Sequence, residues 1–498
     1  MPISTAVDAS AIARTVGVKT EKINTDAGTV KFLPQKLAIF GQGDSTITYP
    51  LEKVEITSAY AAGEMFGFGS PIHLAMLQLR PVNGDGVKGI TTTVYPLANS
   101  PTGDPALGDI ALSGSVTKAA SFVVNISGFY SIPFSVAVGD TLEDIAIALE
   151  EAVSANINMP MNAAASEGSV FFQSKWVGTS ANALKISVVG ASDSGLTFAI
   201  TDPVGGTENP LVDSALAKIG SSWETMALNC LEIDDTAALN GFYQFGEGRW
   251  GGMERKPIVV FTGQTLETVD EVSVFTDNRT QDKTNVTLSN PGSVSLPFVS
   301  AAGQLARIIQ VANDKPAWDY GRQQAQYIEA GADGIQWDYP TRNEAVKSGI
   351  STIEVRDGIV NVSDTVTMYR PAGEAVPAYR FVKDIVSLMT VIYNVDLIFN
   401  NPEWDGAPLI PDNQPTTNSG AKKPKNARSV LSALADNLGL DAIISDPKFT
   451  KENIVAEIDS QNPNRLNVVF PVKLAGNVNI ISIDLNFGFF FGSQTSIS

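Results

Sequence analysis

The chain has 498 residues, 44% of them hydrophobic and only 17% charged, with a net charge of −19. It is long enough for about two to four domains with sizeable cores, and the composition excludes global disorder. Soluble chains usually carry about a quarter charged residues, so the shortfall fits a protein that hides much of its surface against other copies. The acidic balance excludes nucleic acid as the main partner, because phosphate binding needs a dense basic surface. One cysteine, Cys230, excludes an intramolecular disulfide. One histidine, His73, excludes any multi-histidine metal site and leaves Ser-His or Cys-His catalysis a single route. No apolar stretch reaches membrane-spanning length and no secretion signal is expected at the N-terminus, so no membrane insertion is expected.

In chain order, residues 1–26 are small and polar and read as an arm. Leu37 to Phe40 reads as a strand closed by Gly41-Gln42-Gly43, and Ser58 to Phe66 and Ile72 to Leu79 as helices joined by Gly67-Phe68-Gly69-Ser70-Pro71. Ile90 to Tyr95 is a strand. Between about 98 and 210 short β-prone runs sit among Gly, Ser and Asn: Ser121 to Ile126, Ser131 to Val138, Ser169 to Gln173, Ala183 to Val189 and Leu196 to Ile200. One helix interrupts them, with Asp140 as expected N-cap, Glu143 three residues later, and a stripe of Leu142, Ile145, Ala146, Leu149 and Val153. Strands and helices then alternate: Pro257 to Phe261, Leu266 to Thr276, Asn285 to Leu288, Pro297 to Val311, Asn343 to Ser348. Ser351 to Arg356 and Ile359 to Met368 alternate around Asp357-Gly358, a hairpin signature. Val382, Ile385, Val386, Met389, Ile392 and Tyr393 stripe one helix; Leu431, Leu434 and Leu438 stripe another, with Gly439 as its expected stop. Asn467 to Leu474 and Val478 to Phe490 read as terminal strands split by Ala475-Gly476-Asn477.

Motifs that could carry chemistry read better as structure. Gly41-x-Gly43-Asp44 lacks the third glycine opening a helix that a dinucleotide site requires. Gly67-x-Gly69-Ser70 lacks the lysine of a phosphate loop. His73 falls in a first helical turn with no triad spacing. The pairs Asp234/Asp235 and Asp333/Asp338 lack calcium-loop spacing and suit turns or caps. Cys230 reads as a small core residue. No catalytic residue, cofactor or metal is expected.

Two features remain. Ile481, Ile483, Leu485, Phe487 and Phe489 occupy every second position of the last run, giving one apolar face opposite Ser482, Asp484 and Asn486. Alternation alone fits equally the last strand of the chain's own sheet or a strand given to a neighbour. Lys422, Lys423, Lys425 and Arg428 cluster after a Pro-Thr-Thr-Asn-Ser-Gly loop; by itself the cluster reads as a solvated loop.

Several runs, in order, resemble the contractile tail sheath family of myovirus-type and Mu-like phages: VGVKTEKINTDAGTVKFLPQKLAIFGQGD (Val16 to Asp44), TSAYAAGEMFGFGSPIHLAMLQLRPVNGDG (Thr57 to Gly86), VAVGDTLEDIAIALEEAVSAN (Val136 to Asn156), RNEAVKSGISTIEVRDGIVNVSDTVTMY (Arg342 to Tyr369) and LNVVFPVKLAGNVNIISIDLNFGFFF (Leu466 to Phe491). The resemblance implies a multidomain α+β fold: an inner α/β core assembled from N- and C-terminal parts (27–97 and 211–341), an inserted β-rich outer domain (98–210), a tube-facing domain (342–477), and extended arms at 1–26 and 478–498. It implies a structural subunit in the virion tail, assembled in the host cytoplasm as stacked, hexameric rings or a helix, that contracts to drive the tube through the host envelope during DNA delivery. Its partners would be further copies of itself, the tail tube protein, and the baseplate and tail terminator proteins, with no nucleic acid held directly. It favours strand exchange for the C-terminal run, a second exchanged segment within Ala11 to Lys19 that includes Val16 and Val18, and a tube contact through Lys422, Lys423, Lys425 and Arg428. A bacterial contractile injection system sheath shares this mechanism, and a carboxylate-dependent hydrolase is the enzyme alternative.

Overall fold

The computed structural model describes residues 30–485, apart from 128, 129, 192, 326 and 374–377. Its frame is a six-stranded sheet in the order Asn285–Ser289, Val259–Gln264, Met226–Asn229, Lys36–Gln42, Thr91–Leu97, Val54–Glu55. Five strands are parallel, and the two-residue edge strand Val54–Glu55 is antiparallel to its neighbour. Strands covered on both faces read as continuous apolar runs, as Leu37-Ala38-Ile39-Phe40 does. Leu37, Ile39, Val94, Leu228 and Phe261 point into one core; Ala38, Phe40, Tyr95, Ala227 and Val260 point into the other. Helices Pro71–Leu79 and Pro297–Asp314 cover the first face, and Asp213–Ala217 and Thr236–Trp250 the second. The Pro297–Asp314 helix approaches the sheet closely. A Cβ at Gly263 would lie 1.9 Å from the Pro297 carbonyl oxygen, so this contact requires glycine.

Strands between Pro105 and Val204 pair only with one another among the described residues. They form an antiparallel four-stranded sheet (Leu196–Val204, Pro105–Gly114, Ser169–Val177, Met161–Ser166) and a three-stranded one (Tyr130–Val136, Ala120–Ile126, Ile186–Gly190). Helix Leu142–Ser154 covers them with Ile145, Ala146, Leu149 and Val153. The largest apolar core runs through both this region and the parallel sheet. Trp176 joins them: its ring meets Phe298 edge-on at 6.3 Å between centroids. The whole is a mixed α/β fold with several sheets.

Two hairpins complete it, Thr352–Arg356 with Ile359–Asp364, and Val455–Ile458 with Leu466–Val469. The first turns at Asp357 (φ 51°) and Gly358 (φ 73°), the paired left-handed residues that a tight two-residue turn needs. Helices Val382–Phe399 and Pro424–Leu440 pack beside the second. Among the described residues no helix is long and apolar enough to cross a membrane.

Several expectations need correction. Thr141, not Asp140, caps helix Leu142–Ser154: its hydroxyl accepts the Asp144 N–H at 3.1 Å while Asp144 accepts the Thr141 N–H at 3.3 Å. The capping box is shifted by one because Asp140 instead accepts the Ala137 N–H and closes the preceding turn. Thr268 delays the next expected helix to Val269–Thr276 through a box with Glu271. The helix expected from Asn343 starts at Tyr339, capped by Asp338. Gly439 lies inside Pro424–Leu440 and does not stop it. The strand expected over Asn467 to Leu474 is only Leu466–Val469, and residues 478–485 form no strand within the subunit.

Candidate assembly surfaces

In doubly wound sheets ligands bind beyond the carboxyl ends of the strands, where the strand order reverses. Here that crevice lies between Lys36–Gln42 and Met226–Asn229, and the chain's own loops are tied across it. The Gln42 amide donates to Asn99 Oδ1 at 2.6 Å and to the Val177 carbonyl at 2.8 Å. Asn209 accepts the Thr179 N–H at 2.8 Å and donates to Asp235 Oδ2 at 3.0 Å.

The other candidate chemical groups are structural. Asp44 folds its own turn, accepting from the Thr46 N–H and hydroxyl at 2.8 and 2.7 Å. Gly67 and Gly69 have φ of 88° and 84° and join two helices, the second capped by Ser70. His73 is 1% exposed and its Nδ1 accepts the Gly69 N–H at 2.9 Å. Burial, then the nearby Lys175 charge, hold its pKa down to about 4, so the ring is neutral. Asp235 and Asp338 cap helices, and Asp333 accepts from Gln336 at 3.3 Å. Burial raises the Cys230 thiol far out of reactive range. Glu232 is pushed up to about 8, by burial first and then by Asp234. Among the described residues, no three His, Cys, Asp or Glu side chains are gathered to hold a metal.

The basic cluster is partly neutralised from within. Lys422 pairs with Glu403 at 3.4 Å and stands 5.2 Å from the Trp404 ring centre. Arg428 pairs with Asp412 at 2.6 Å and donates to the Ala456 carbonyl at 2.9 Å. Lys423 donates to the Gln414 carbonyl, and its N–H is accepted by Asn426 at 2.8 Å. Lys425 is exposed. Among the described residues, the Lys423 and Lys425 ammonium groups make no close ion pair, though the Lys425 N–H donates to Asp412 Oδ1 at 2.8 Å.

The C-terminal run is the most conspicuous surface. Val478, Ile480, Ile481, Ile483 and Leu485 are 72 to 82% exposed. Phe487, Phe489, Val16 and Val18 lie outside the described residues. Soluble monomers rarely display such a contiguous apolar row. Close by in sequence, Val455–Ile458 and Leu466–Val469 form a sheet of two strands among the described residues, with no third strand on either outer edge there; Arg428 donates to the Ala456 carbonyl. The sheet's end pair, Val455 opposite Val469, is 51% and 58% exposed. This hairpin was missed from sequence because the Val455 run is only four residues long and its partner was read as the start of a longer strand.

Solved structures show a similar fold. A chain of the anti-feeding prophage baseplate in the contracted state matches with a TM-score of 0.50 at 8% identity, covering 96% of this chain and 100% of that one. A sheath tail protein of Listeria innocua aligns with a TM-score of 0.48 at 13% identity, over 91% of this chain and 95% of that one. No family model matches the chain. The sequence itself is 24% identical over 449 residues to the Mu-like prophage FluMu tail sheath protein of Haemophilus influenzae, covering 88% of this chain and 89% of the relative. The chain is a homologue of a Mu-like tail sheath protein, as the motifs read from the sequence implied.

Proposed function

We propose that the chain is the repeating subunit of a contractile tail sheath, a structural protein and not an enzyme. Copies polymerise around a tail tube as stacked, six-membered rings or a helix. The sheath meets a baseplate at one end and a terminator at the other, and its contraction drives the tube through a host envelope for DNA delivery. The observation that carries this reading is the exposed apolar row from Val478 to Leu485 in a subunit that also holds an unfinished two-stranded sheet. Each needs what the other supplies: backbone partners for an edge, and cover for apolar side chains. Within one subunit they stay apart. Between subunits they join, and each copy becomes tethered to the next.

The energy for contraction lies in interface burial, which scales with apolar area removed from water, and rigid subunits move against one another while the tethers hold. Residues 98–210 would face outward and 342–477 toward the tube, with exposed Lys425 the cation best placed to meet an acidic tube. Such exposed pairs are weak and salt-sensitive, which suits a grip that must release. The same mechanism would serve a bacterial contractile injection system. The sequence likeness to a Mu-like sheath chain favours a phage-type tail made in the host cytoplasm. A carboxylate-dependent hydrolase is disfavoured by the loops tied across the crevice of the parallel sheet.

Electron microscopy of the purified chain at high concentration tests the reading. Striated hollow cylinders are the expected result; uniform particles of monomer size at every concentration would contradict it.

A further inference from the structure

Helix Val382–Phe399 carries a second stripe beside its apolar one. Lys383, Ser387, Thr390 and Asn394 are spaced by four, three and four residues, which stacks them on one face. All four are polar, and all are 6% exposed or less. Buried polar side chains are retained where they have partners to satisfy, and three of these four reach backbone outside the helix.

The Lys383 ammonium donates to the Ala475 carbonyl at 2.7 Å and pairs with Asp384 at 2.6 Å. Ser387 donates to the Pro316 carbonyl at 3.0 Å. Asn394 takes both backbone groups of one residue: its Oδ1 accepts the Lys31 N–H at 3.0 Å and its Nδ2 donates to the Lys31 carbonyl at 2.9 Å, as an adjacent strand would. Thr390 bonds within the helix, to the Val386 carbonyl at 3.1 Å.

Lys31 lies at the N-terminal limit of the described residues, and Ala475 lies at the root of the C-terminal run. On the C-terminal side, Ala475 also donates to the Ile443 carbonyl at 3.0 Å. Asn477 donates to Ala317 O at 2.9 Å, and Asn479 to Asp319 Oδ2 at 2.9 Å. The segment 316–319 that receives them adjoins the one held by Ser387. Past Asn479 the described residues make no hydrogen bond, and the apolar row begins. One helix face therefore grips the segments at Lys31 and at Ala475, at points about 16 Å apart along its axis at 1.5 Å per residue.

We infer that this polar stripe is the common mounting of the two arms. Lys383 and Asn394 are positioning residues that fix where the arms depart, and so fix the spacing between a subunit's connections to its neighbours. The inference rests on the strand-exchange reading above, since a mounting sets a lattice only if the arms reach other copies. The C-terminal arm departs past Asn479, and the roots at Lys31 and Ala475 stay fixed to the rigid body.

Hydrogen–deuterium exchange of the full-length subunit tests the grips one at a time. Asn394→Ala is expected to speed exchange in the peptide covering 30–36 roughly five- to tenfold, the loss expected for about one net hydrogen bond, with 470–479 unchanged. Lys383→Met is expected to do the reverse, and Lys383→Arg to restore protection. A residue that merely stabilised the helix would instead speed exchange across 382–399. The Lys383→Met/Asn394→Ala double variant is then assembled and its lattice measured. Cylinders that are absent, or that show mixed rise and twist, support the mounting. A lattice identical to the unaltered one, or single variants with no local change at 30–36 and 470–479, would overturn it. Deleting residues 479–498 separates the two ideas: if that truncated chain still forms cylinders, strand exchange fails whatever the exchange rates show at the roots.

Discussion

Removing Asn479–Ser498 should leave a folded subunit that no longer polymerises. Folding survives because the described part of that segment holds to the body through one exposed bond, Asn479 to Asp319: Ile480, Ile481, Ile483 and Leu485 are 72 to 82% exposed, and the anchoring of the arm root through Ala475 and Asn477 is retained. Assembly fails because Ile481, Ile483 and Leu485, on the inward face, are each worth about 1.5–3 kcal/mol when buried, and together they supply roughly 5–9 kcal/mol per joint. Association costs a comparable amount in lost freedom of motion, and every 1.4 kcal/mol is about tenfold in affinity. A point variant isolates the face. Ile483→Asp puts a charge where a neighbour's apolar surface would close over it, and should raise the concentration needed for assembly by about a hundredfold or more. Ser482→Ala, on the opposite face, should leave it unchanged. Sedimentation of assembled from free protein measures both. Equal effects at 482 and 483 would show that the segment is not bound as a strand with one buried side.

The largest effect on stability is expected at Trp176. It is fully buried, meets Phe298 edge-on, and donates its indole N–H to Ser180 Oγ at 3.0 Å. Through that contact the antiparallel sheet of residues 105–204 and the Pro297–Asp314 helix share one core. Trp176→Ala removes the ring, leaves a cavity, and strands the Ser180 hydroxyl, for an expected loss of about 3–5 kcal/mol. Against a typical stability of about 5–15 kcal/mol, the urea midpoint should fall steeply, and protease should cut first within residues 98–210. A loss below about 1 kcal/mol would mean that the two regions do not depend on one another.

Much of this fold was legible in the sequence because the local signals agreed with the tertiary result. The Leu37 to Phe40 run, continuous rather than alternating, marked a strand buried on both faces. Pro71 and Pro297 marked helix starts, and Asp357-Gly358 a hairpin, since these residues already prefer the backbone angles required. The misses follow the same logic. Helix Thr236–Trp250 contains Gly241, Gly246 and Gly248, poor helix formers that blur its stripe; Gly246 is there because a Cβ would lie 2.0 Å from Thr284 Oγ1. Strand Met161–Ser166 is half alanine and lacks the β-branched residues that signal strands. Pro105–Gly114 does alternate, with Ala106, Gly108, Ile110 and Leu112 inward, but its glycines and proline read as loop.

At the candidate assembly surfaces the sequence showed the proposed donor strand and hid its proposed receiver. Alternation from Ile481 to Phe489 was visible without a structure. The open hairpin was not, because its strands are four residues each and separated by a polar loop. Nor was the stripe from Lys383 to Asn394, because a charged or amide side chain on a helix ordinarily reads as facing water. The basic cluster shows the opposite limit: four cations in seven positions look like a patch, yet Glu403 and Asp412, distant in sequence, neutralise two of them.

A density map of the assembled cylinder by electron cryo-microscopy, at a resolution that follows the backbone, puts the matter to the most direct test. Residues 480–489 should run out of their own subunit and lie as a strand along the 455–469 hairpin of an adjacent copy, with Ile481, Ile483 and Leu485 turned inward. If those residues instead fold onto the subunit they belong to, and no backbone pairing crosses between copies, the account is wrong.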